Sequence, residues 1–382
     1  MSTPLPAEQP PPTLASVPEA LLKLAPLDLV NHRQGRYGGD DLCLRLKDLA
    51  AADQGLLRHL YDVLSELLYT IADDKDNTAH KWRQVESWMQ RHGLDALIDQ
   101  TRELGVASHQ QSAGELLAKT VHDLRGGALS TLLGRLQMLD LLPHDDAQLN
   151  RIFVLSRDHL KIMRNAIVDL DFERREADRK PKAHAMKLML DKWQNAVVGP
   201  KRQEPRVEMH IDCRYEGALT ECCLESAAID RIFYNLTNNA ARHAANGQLD
   251  MVVFPIPDAA GSTLRFVLSN EVSDKDAAYL RMTTSGGGPV AKTEPEHGAT
   301  LVPLFTPRVS STGSGLGLTV VADFVAKAFG LPDRRAALQG RYVGATLDGR
   351  TFRTWFHWLA ANDDLPPKLD DFHQPEQSLS EP

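Results

Sequence analysis

Residues 230–243 read DRIFYNLTNNAARH and place two asparagines, Asn235 and Asn239, four positions apart. That spacing puts both amides on one face of a helix. Paired amide oxygens can coordinate a hard cation such as Mg²⁺, which usually takes substrate phosphates and waters as well. Arg242 falls on the same side and could meet a phosphate. The alternative is a helix with exposed polar residues. Asparagine is a poor helix former, however, so three asparagines within residues 235–239 call for a functional explanation.

A glycine-rich stretch follows about 75 residues later, at STGSGLGL, residues 311–318. Its glycines Gly313, Gly315 and Gly317 open into an apolar helical run, an arrangement suited to binding anions at a helix N-terminus. Flexible linkers look similar, so the value of the stretch lies in its position after the asparagine helix. A Gly- and Thr-rich spacer at 283–288 is typical of a mobile lid over a nucleotide.

The region around these motifs, residues 185–361, alternates short strands with helices. Strand-like runs occur at 207–211, 251–256 and 264–268, and helical runs at 224–245 and 316–329. This pattern predicts an α+β domain or sandwich, one sheet with helices on a face.

A helical hairpin precedes it within residues 106–178. Apolar residues at helical spacing run from about 110 to 142 and again from 149 to 170, separated by the linker 143–146. Two helices alone bury little apolar surface, so pairing with a second copy into a four-helix bundle is expected, which predicts a homodimer. A hairpin packed on its own chain is the alternative.

The first helix of this hairpin carries HDLRGG, residues 122–127. Val121 and Leu124 belong to the apolar seam, so His122 lies just off it and is expected to be partly exposed. Asp123 could accept the proton of one imidazole nitrogen and leave the other nucleophilic. The alternative is that His122, like most single exposed histidines on helices, has no functional role.

The remaining segments carry no chemical motif. Residues 19–105 predict helices, one across 52–71 and a second from Asn77 that stops at Gly93, and are interpreted as an input or docking region. Residues 1–18 are Pro-rich and predict a disordered leader, and residues 362–382 predict a disordered acidic tail.

Composition excludes several classes of protein. The 382 residues carry a net charge of −8 with a pI near 6.0, which argues against a nucleic-acid binder. Four cysteines without a CxxC pair argue against a zinc site or disulfide framework. No apolar run approaches the ~18–20 residues of a membrane span, so a cytoplasmic location is expected.

Taken in order, the three motifs resemble a bacterial histidine kinase of the GHKL ATPase superfamily, over roughly residues 110–360. The resemblance implies an α/β-sandwich ATP-binding domain, ATP and Mg²⁺ as cofactors, and a response-regulator receiver domain as partner in trans. His122 would be phosphorylated and Asp123 would act as general base. The implied roles of the remaining residues are Mg²⁺ ligation by Asn239 and Asn235, phosphate contact by Arg242, and phosphate binding by the glycine loop.

Two departures from the family pattern matter. The usual Asp-x-Gly-x-Gly box is missing after the third strand, where Asn270 is the best substitute for the adenine-binding carboxylate. Gly126 occupies the position of a Thr or Asn associated with phosphatase activity. Two alternatives follow: a histidine phosphotransfer or scaffold protein with a degenerate ATP site, or a relative using ATP for serine phosphorylation or as a clamp.

Overall fold

The structure is a computed structural model that describes residues 12–24, 42–72, 77–111, 114–194, 197–198, 207–256, 263–285, 302–306 and 316–361. A helical region comes first and a sheet region second, each around its own apolar core. The helices of the helical region are α2 (Ala51–Ala72), α3 (Thr78–His92), α4 (Leu94–Glu103), α5 (Val106–Gln111), α6 (Glu115–Arg125), α7 (Gly127–Gln137), α8 (Asp146–Ala166) and α9 (Phe172–Asp178).

The sheet region contains eight strands and the remaining helices of the described chain. Its strands are β1 (Pro181–Ala185), β2 (Val197–Val198), β3 (Val207–Cys213), β4 (Ala218–Cys222), β5 (Gln248–Pro255), β6 (Thr263–Glu271), β7 (Val343–Asp348) and β8 (Thr351–Leu359). Its helices are α1 (Glu19–Leu22), α10 (Met186–Trp193), α11 (Cys223–His243), α12 (Asp274–Ser285), α13 (Gly317–Ala328) and α14 (Arg334–Gln339).

The two helices predicted in the N-terminal region are confirmed. Buried leucines at helical spacing line one side of α2. Helix α3 begins after Asn77, whose side chain accepts a hydrogen bond from the His80 backbone amide at 2.9 Å. It ends at Gly93, whose φ of 69° lies in the left-handed region that favours glycine.

The expectation of one continuous helix from 110 to 142 is wrong. The chain forms α5, α6 and α7 in succession, and α6 and α7 are separated by a break at Gly126 and Gly127. Gly127 has a φ of 58°, which an L side chain rarely adopts. A Cβ on Gly126 would lie 2.9 Å from the His122 carbonyl oxygen. The break therefore requires glycine directly after the helix that carries His122.

The apolar seam of the hairpin is covered by the same chain. Leu117, Val121 and Leu124 of α6 share one core with Leu57 and Leu64 of α2. Helix α2 also packs along α8. The apolar seam of the hairpin therefore packs against its own chain, as in the alternative given above. Burial of the seam does not require a second copy of the chain.

The main sheet has six strands in the order β2-β3-β5-β6-β8-β7, with β3 and β5 parallel and the other neighbours antiparallel. Strands β1 and β4 form a separate antiparallel pair. Helices α11 and α13 cover one face of the main sheet through a core that includes Phe233, Val325, Phe266 and Phe356. The predicted combination of a helical region and an α+β region is therefore confirmed.

The other face of the main sheet is covered by residues 12–24. Val17, Leu21 and Leu24 pack on Phe254 and Trp355. The Arg265 guanidinium, projecting from β6, donates to backbone carbonyls at residues 21, 22 and 24. Residues 12–18 of the predicted leader thus contribute apolar side chains, Leu14 and Val17, to this second layer.

The predicted strands and helices of this region overlap β3, β5, β6, α11 and α13, with ends that differ by up to three residues. The predicted tail, residues 362–382, lies outside the described residues, as do residues 1–11 of the predicted leader. Within the described ranges, no helix combines the length and apolarity that crossing a bilayer requires.

Candidate functional site

Helix α6 presents His122 near its C-terminal end, with 26% of the side chain exposed. The prediction of a partly exposed imidazole is therefore confirmed. Its Nδ1 lies 3.2 Å from Oδ1 of Asp123. An imidazole that donates from Nδ1 to a carboxylate keeps the lone pair on Nε2, so this contact favours the tautomer in which Nε2 is the nucleophile.

Asp123 is buried and is bound by two side chains of α11. Its Oδ2 accepts from Nε of Arg231 at 2.7 Å, and its Oδ1 accepts from Nδ2 of Asn235 at 3.2 Å. Burial alone would raise the pKa of Asp123, but the Arg231 charge, together with the hydrogen bonds from His122 and Asn235, lowers it below its ordinary value. The carboxylate stays ionised and is a weak base. This suits a group that orients the imidazole and stabilises positive charge on it.

The start of α13 lies directly against the asparagines of α11. A Cβ placed on Gly317 would lie 3.0 Å from Nδ2 of Asn239 and 3.2 Å from Oδ1 of Asn235. Both distances are tighter than ordinary van der Waals contact, so only glycine leaves this space open. The structure thus brings Asn235, Asn239 and Gly317 together.

The amide oxygens here are of the type that coordinates a hard cation. The Nδ2 of Asn235 is occupied by Asp123 and by the Arg231 carbonyl, which leaves its Oδ1 as the acceptor facing Gly317. Among the described residues, no group of three or more His, Cys, Asp and Glu side chains could hold a metal ion. Mg²⁺ commonly takes its remaining ligands from phosphates and waters.

Asn270 and Arg242 lie at the same end of the sheet region, near the C-terminal ends of β6 and α11. Asn270 is buried near the end of β6, and the bridge between Ala244 and Val272 joins the chain after α11 to the chain after β6. Arg242 is exposed in the last turn of α11. Both residues are near the asparagine end of α11 in the fold, and their contact with a nucleotide stays a prediction.

Several predicted elements fall partly or wholly outside the described residues. Gly313 and Gly315 are outside them, and of the predicted lid only 283–285 is described, as the end of α12. Leu304 and Phe305 are buried in a short 3-10 turn, and the Phe305 carbonyl accepts from Oγ1 of Thr319 on α13 at 3.2 Å.

Helix α6 is also held on α13 and α14 by ion pairs around its first turns. Lys119 pairs with Asp323 of α13 and, at 2.6 Å, with Glu115. Arg334 of α14 pairs with Glu115 and lies 3.7 Å from Asp323. The helix that carries His122 is therefore fixed to the sheet region at both of its ends.

Sequence reasoning missed Arg231, which holds the centre of the site. Its Nη1 donates to Oδ1 of Asn165 at 3.0 Å, and its guanidinium carbon lies 4.4 Å from the centre of the Phe324 ring. The signal was available, because Arg231, Asn235 and Asn239 are spaced by four and share one helix face.

A buried histidine, His159 of α8, was also missed. Burial lowers its pKa to about 3, against the opposing pull of the Asp123 charge, so this imidazole stays neutral. Arg231 therefore remains the cation that pairs with the carboxylate.

Comparison with known proteins gives matches among solved structures. No protein-family model matches the chain, and no curated protein matches its sequence. The Acinetobacter baumannii histidine kinase AdeS matches at 17% identity and a TM-score of 0.28, covering 63% of this chain and 98% of that one. Full-length ShkA in complex with AMPPNP matches at 16% identity and a TM-score of 0.29, covering 64% of this chain and 44% of that one.

A histidine kinase from Burkholderia phymatum STM815 matches at 14% identity and a TM-score of 0.29, covering 64% of this chain and 96% of that one. The chain is thus matched to solved structures of histidine kinases, at low identities and low TM-scores. The argument for a function is therefore made from the geometry of the site.

Proposed function

We propose that the chain is an ATP-dependent protein-histidine kinase that phosphorylates its own His122. The observation that carries this proposal is the hydrogen bond between Asn235 and Asp123, two residues 112 positions apart. It joins the acceptor motif to the asparagine helix, and Gly317 adds the glycine motif to the same place. Three motifs with complementary chemistry, far apart in the chain, meet at one site.

The transfer step follows from the contacts of His122. Its Nε2 would attack the γ-phosphoryl group of ATP, forming an N–P bond while the bond to the leaving ADP oxygen breaks. Positive charge develops on the ring, and Asp123 stabilises the Nδ1 proton through the contact already in place. Since Arg231 keeps Asp123 ionised, this assistance is available across the physiological pH range.

Asn239 and Asn235 would hold Mg²⁺ with the nucleotide, and Arg242 would contact a phosphate. The metal supplies neutralisation of phosphate charge when bound. The phosphoryl group would then pass from His122 to an aspartate on the receiver domain of a separate response regulator. A homodimer and a cytoplasmic location remain parts of this proposal.

Labelling with radioactive ATP tests the assignment. The wild-type chain is expected to gain acid-labile, base-stable label, and His122→Gln is expected to lose it. His109→Gln is the matched control, since His109 is an exposed histidine on the neighbouring helix α5. Equal labelling of the wild type and His122→Gln would refute the assignment, and base-labile, acid-stable label would favour serine phosphorylation.

The second candidate is a histidine phosphotransfer or scaffold protein with a degenerate ATP site. One observation favours it: β6 ends at Glu271 and α12 starts at Asp274, so only two residues stand where a glycine-rich nucleotide loop would follow the strand.

Titration with a non-hydrolysable ATP analogue separates the two candidates. The kinase predicts binding that Gly317→Ala weakens roughly tenfold or more, because the added methyl group crowds Asn239 and Asn235. No binding at millimolar analogue would favour the scaffold.

A further inference from the structure

A polar cavity lies beside α11, on the face that carries Ser226 and Asp230 and not on the face that binds Asp123. It has a volume of about 40 Å³ and is lined by α8, the β1–β4 pair, α10 and the start of α11. A single buried water needs roughly 10–15 Å³ of such volume. The cavity therefore has room for a ligand of a few non-hydrogen atoms.

Cations outnumber anions in the lining. Arg157, Lys161 and Lys192 face two carboxylates, Asp158 and Asp230. Lys192 bridges the two, at 2.6 Å from Oδ2 of Asp158 and in direct contact with Asp230. Arg157 also pairs with Asp158, at 3.1 Å. One positive charge is left over.

That charge belongs to Lys161, which has no acceptor among the described residues and is partly exposed. The hydroxyl of Thr220 is fully buried and has no hydrogen-bond partner in the described part of the chain. An unpaired buried hydroxyl is unfavourable, which points to an unseen partner. Both residues line the cavity, and both can donate hydrogen bonds.

His184 lies within the field of these cations. It is the cross-strand neighbour of Thr220 and also lines the cavity. Its pKa lies well below the ordinary value because of burial first, and then because of nearby positive charges that include Lys161, Arg157 and Lys192. The surroundings are therefore positive enough to disfavour another cation and to attract an anion.

We propose that this cavity binds a small oxyanion, such as inorganic phosphate or a short carboxylate, held by Lys161 and Thr220. Helix α8 belongs to the helical region, while β1, β4, α10 and α11 belong to the sheet region. A bound anion links the two regions at a different face of α11 from the one that binds Asp123. The site is independent of the proposed kinase reaction.

Thermal unfolding in phosphate and in acetate, at ionic strength balanced with sodium chloride, tests the proposal. A saturable rise in Tm of roughly 2–4 °C is expected for the wild type with at least one of the two anions. Lys161→Gln removes the rise, and Thr220→Val reduces it. A response to both anions indicates general oxyanion binding, and a response to one identifies the preferred geometry; each supports the site.

Two controls locate the effect. Lys187→Gln, on the exposed side of α10, retains the rise. Asn239→Ala also retains it, because the nucleotide site lies elsewhere. The proposal is overturned by the absence of any saturable rise, by an equal rise in Lys161→Gln, or by loss of the rise in Asn239→Ala.

Discussion

Two buried charge clusters lie on different faces of α11 and begin at adjacent residues. Arg231 turns towards α6 and binds Asp123, while Asp230 turns towards α10 and contacts Lys192. Successive residues of a helix point about 100° apart, so neighbours in sequence can serve different surroundings. The clusters differ in one respect that decides their chemistry: the Asp123 carboxylate has a guanidinium of its own, whereas Lys192 serves both Asp230 and Asp158.

This difference determines which carboxylate can titrate. Burial first, and then the nearby Asp158 charge, raise the pKa of Asp230 to about 6, against the opposing effect of Lys192. The pKa of Asp158 is lowered to about 2, since Lys192 and Arg157 outweigh its burial. Asp123, equally buried, has a lowered pKa. All three carboxylates are buried, so the charges beside each one separate the two that stay ionised from the one that titrates.

Removing the dedicated cation gives the largest expected effect. Arg231→Met leaves the Asp123 charge buried without its main partner and should lower the free energy of unfolding by about 3–5 kcal/mol. Urea denaturation at pH 7 measures it. Arg102→Met is the control, since its pair with Asp99 is exposed and contributes about 0.2–1 kcal/mol at most.

The double variant Arg231→Met/Asp123→Asn tests the cause. If the loss comes from an uncompensated charge, neutralising Asp123 recovers part of it. A double variant as unstable as Arg231→Met would show that packing against Phe324, and not charge, is responsible.

The shared-lysine cluster predicts a pH dependence of intermediate size. The pKa of Asp230 is raised in the folded chain, from 3.8 to about 6, so the folded state binds this proton more tightly than the unfolded state. Its contribution to stability is present below about pH 4 and is lost as pH rises through about 6. The loss is at most ~3 kcal/mol.

The wild type and Asp230→Asn are compared by urea denaturation at several pH values between 4 and 7. The stability of the wild type relative to Asp230→Asn should fall across this range, because asparagine does not titrate. Asp99→Asn, at an exposed position on α4, should run parallel to the wild type. A constant difference between wild type and Asp230→Asn would mean that Asp230 keeps an ordinary pKa.

The sequence predicted what depends on local signals. The helix over residues 51–72 follows from leucine spacing, and Asn77 and Gly93 mark the ends of α3 by their own backbone preferences. The glycine break after α6 was missed, because the apolar spacing continues across it. The cover of the hairpin by α2 also could not be read, because it depends on contacts distant in sequence.

The candidate site shows the same difference between local signals, which the sequence reveals, and contacts that are distant in sequence. Motifs indicated His122, Asp123 and the two asparagines, and the structure brings these residues to one place. Arg231 lay at the right spacing but resembled an ordinary surface arginine. Its role depends on a carboxylate more than a hundred residues away, and neither residue alone reveals a buried pair.

The smallest expected effect concerns the ion pairs at the start of α6. Glu115 has 45% of its side chain exposed, and hydrogen bonds from Arg334 and Lys119 lower its pKa to about 2. Because solvent screens this group, Glu115→Gln should lower the free energy of unfolding by only about 0.2–1 kcal/mol. The loss should shrink further in high salt, whereas the loss from Arg231→Met should not, since the buried pair is poorly screened. Urea denaturation of both variants at low and high sodium chloride makes the comparison. A salt-insensitive loss in Glu115→Gln as large as that of Arg231→Met would place the main attachment of α6 at its first turn instead of at Asp123.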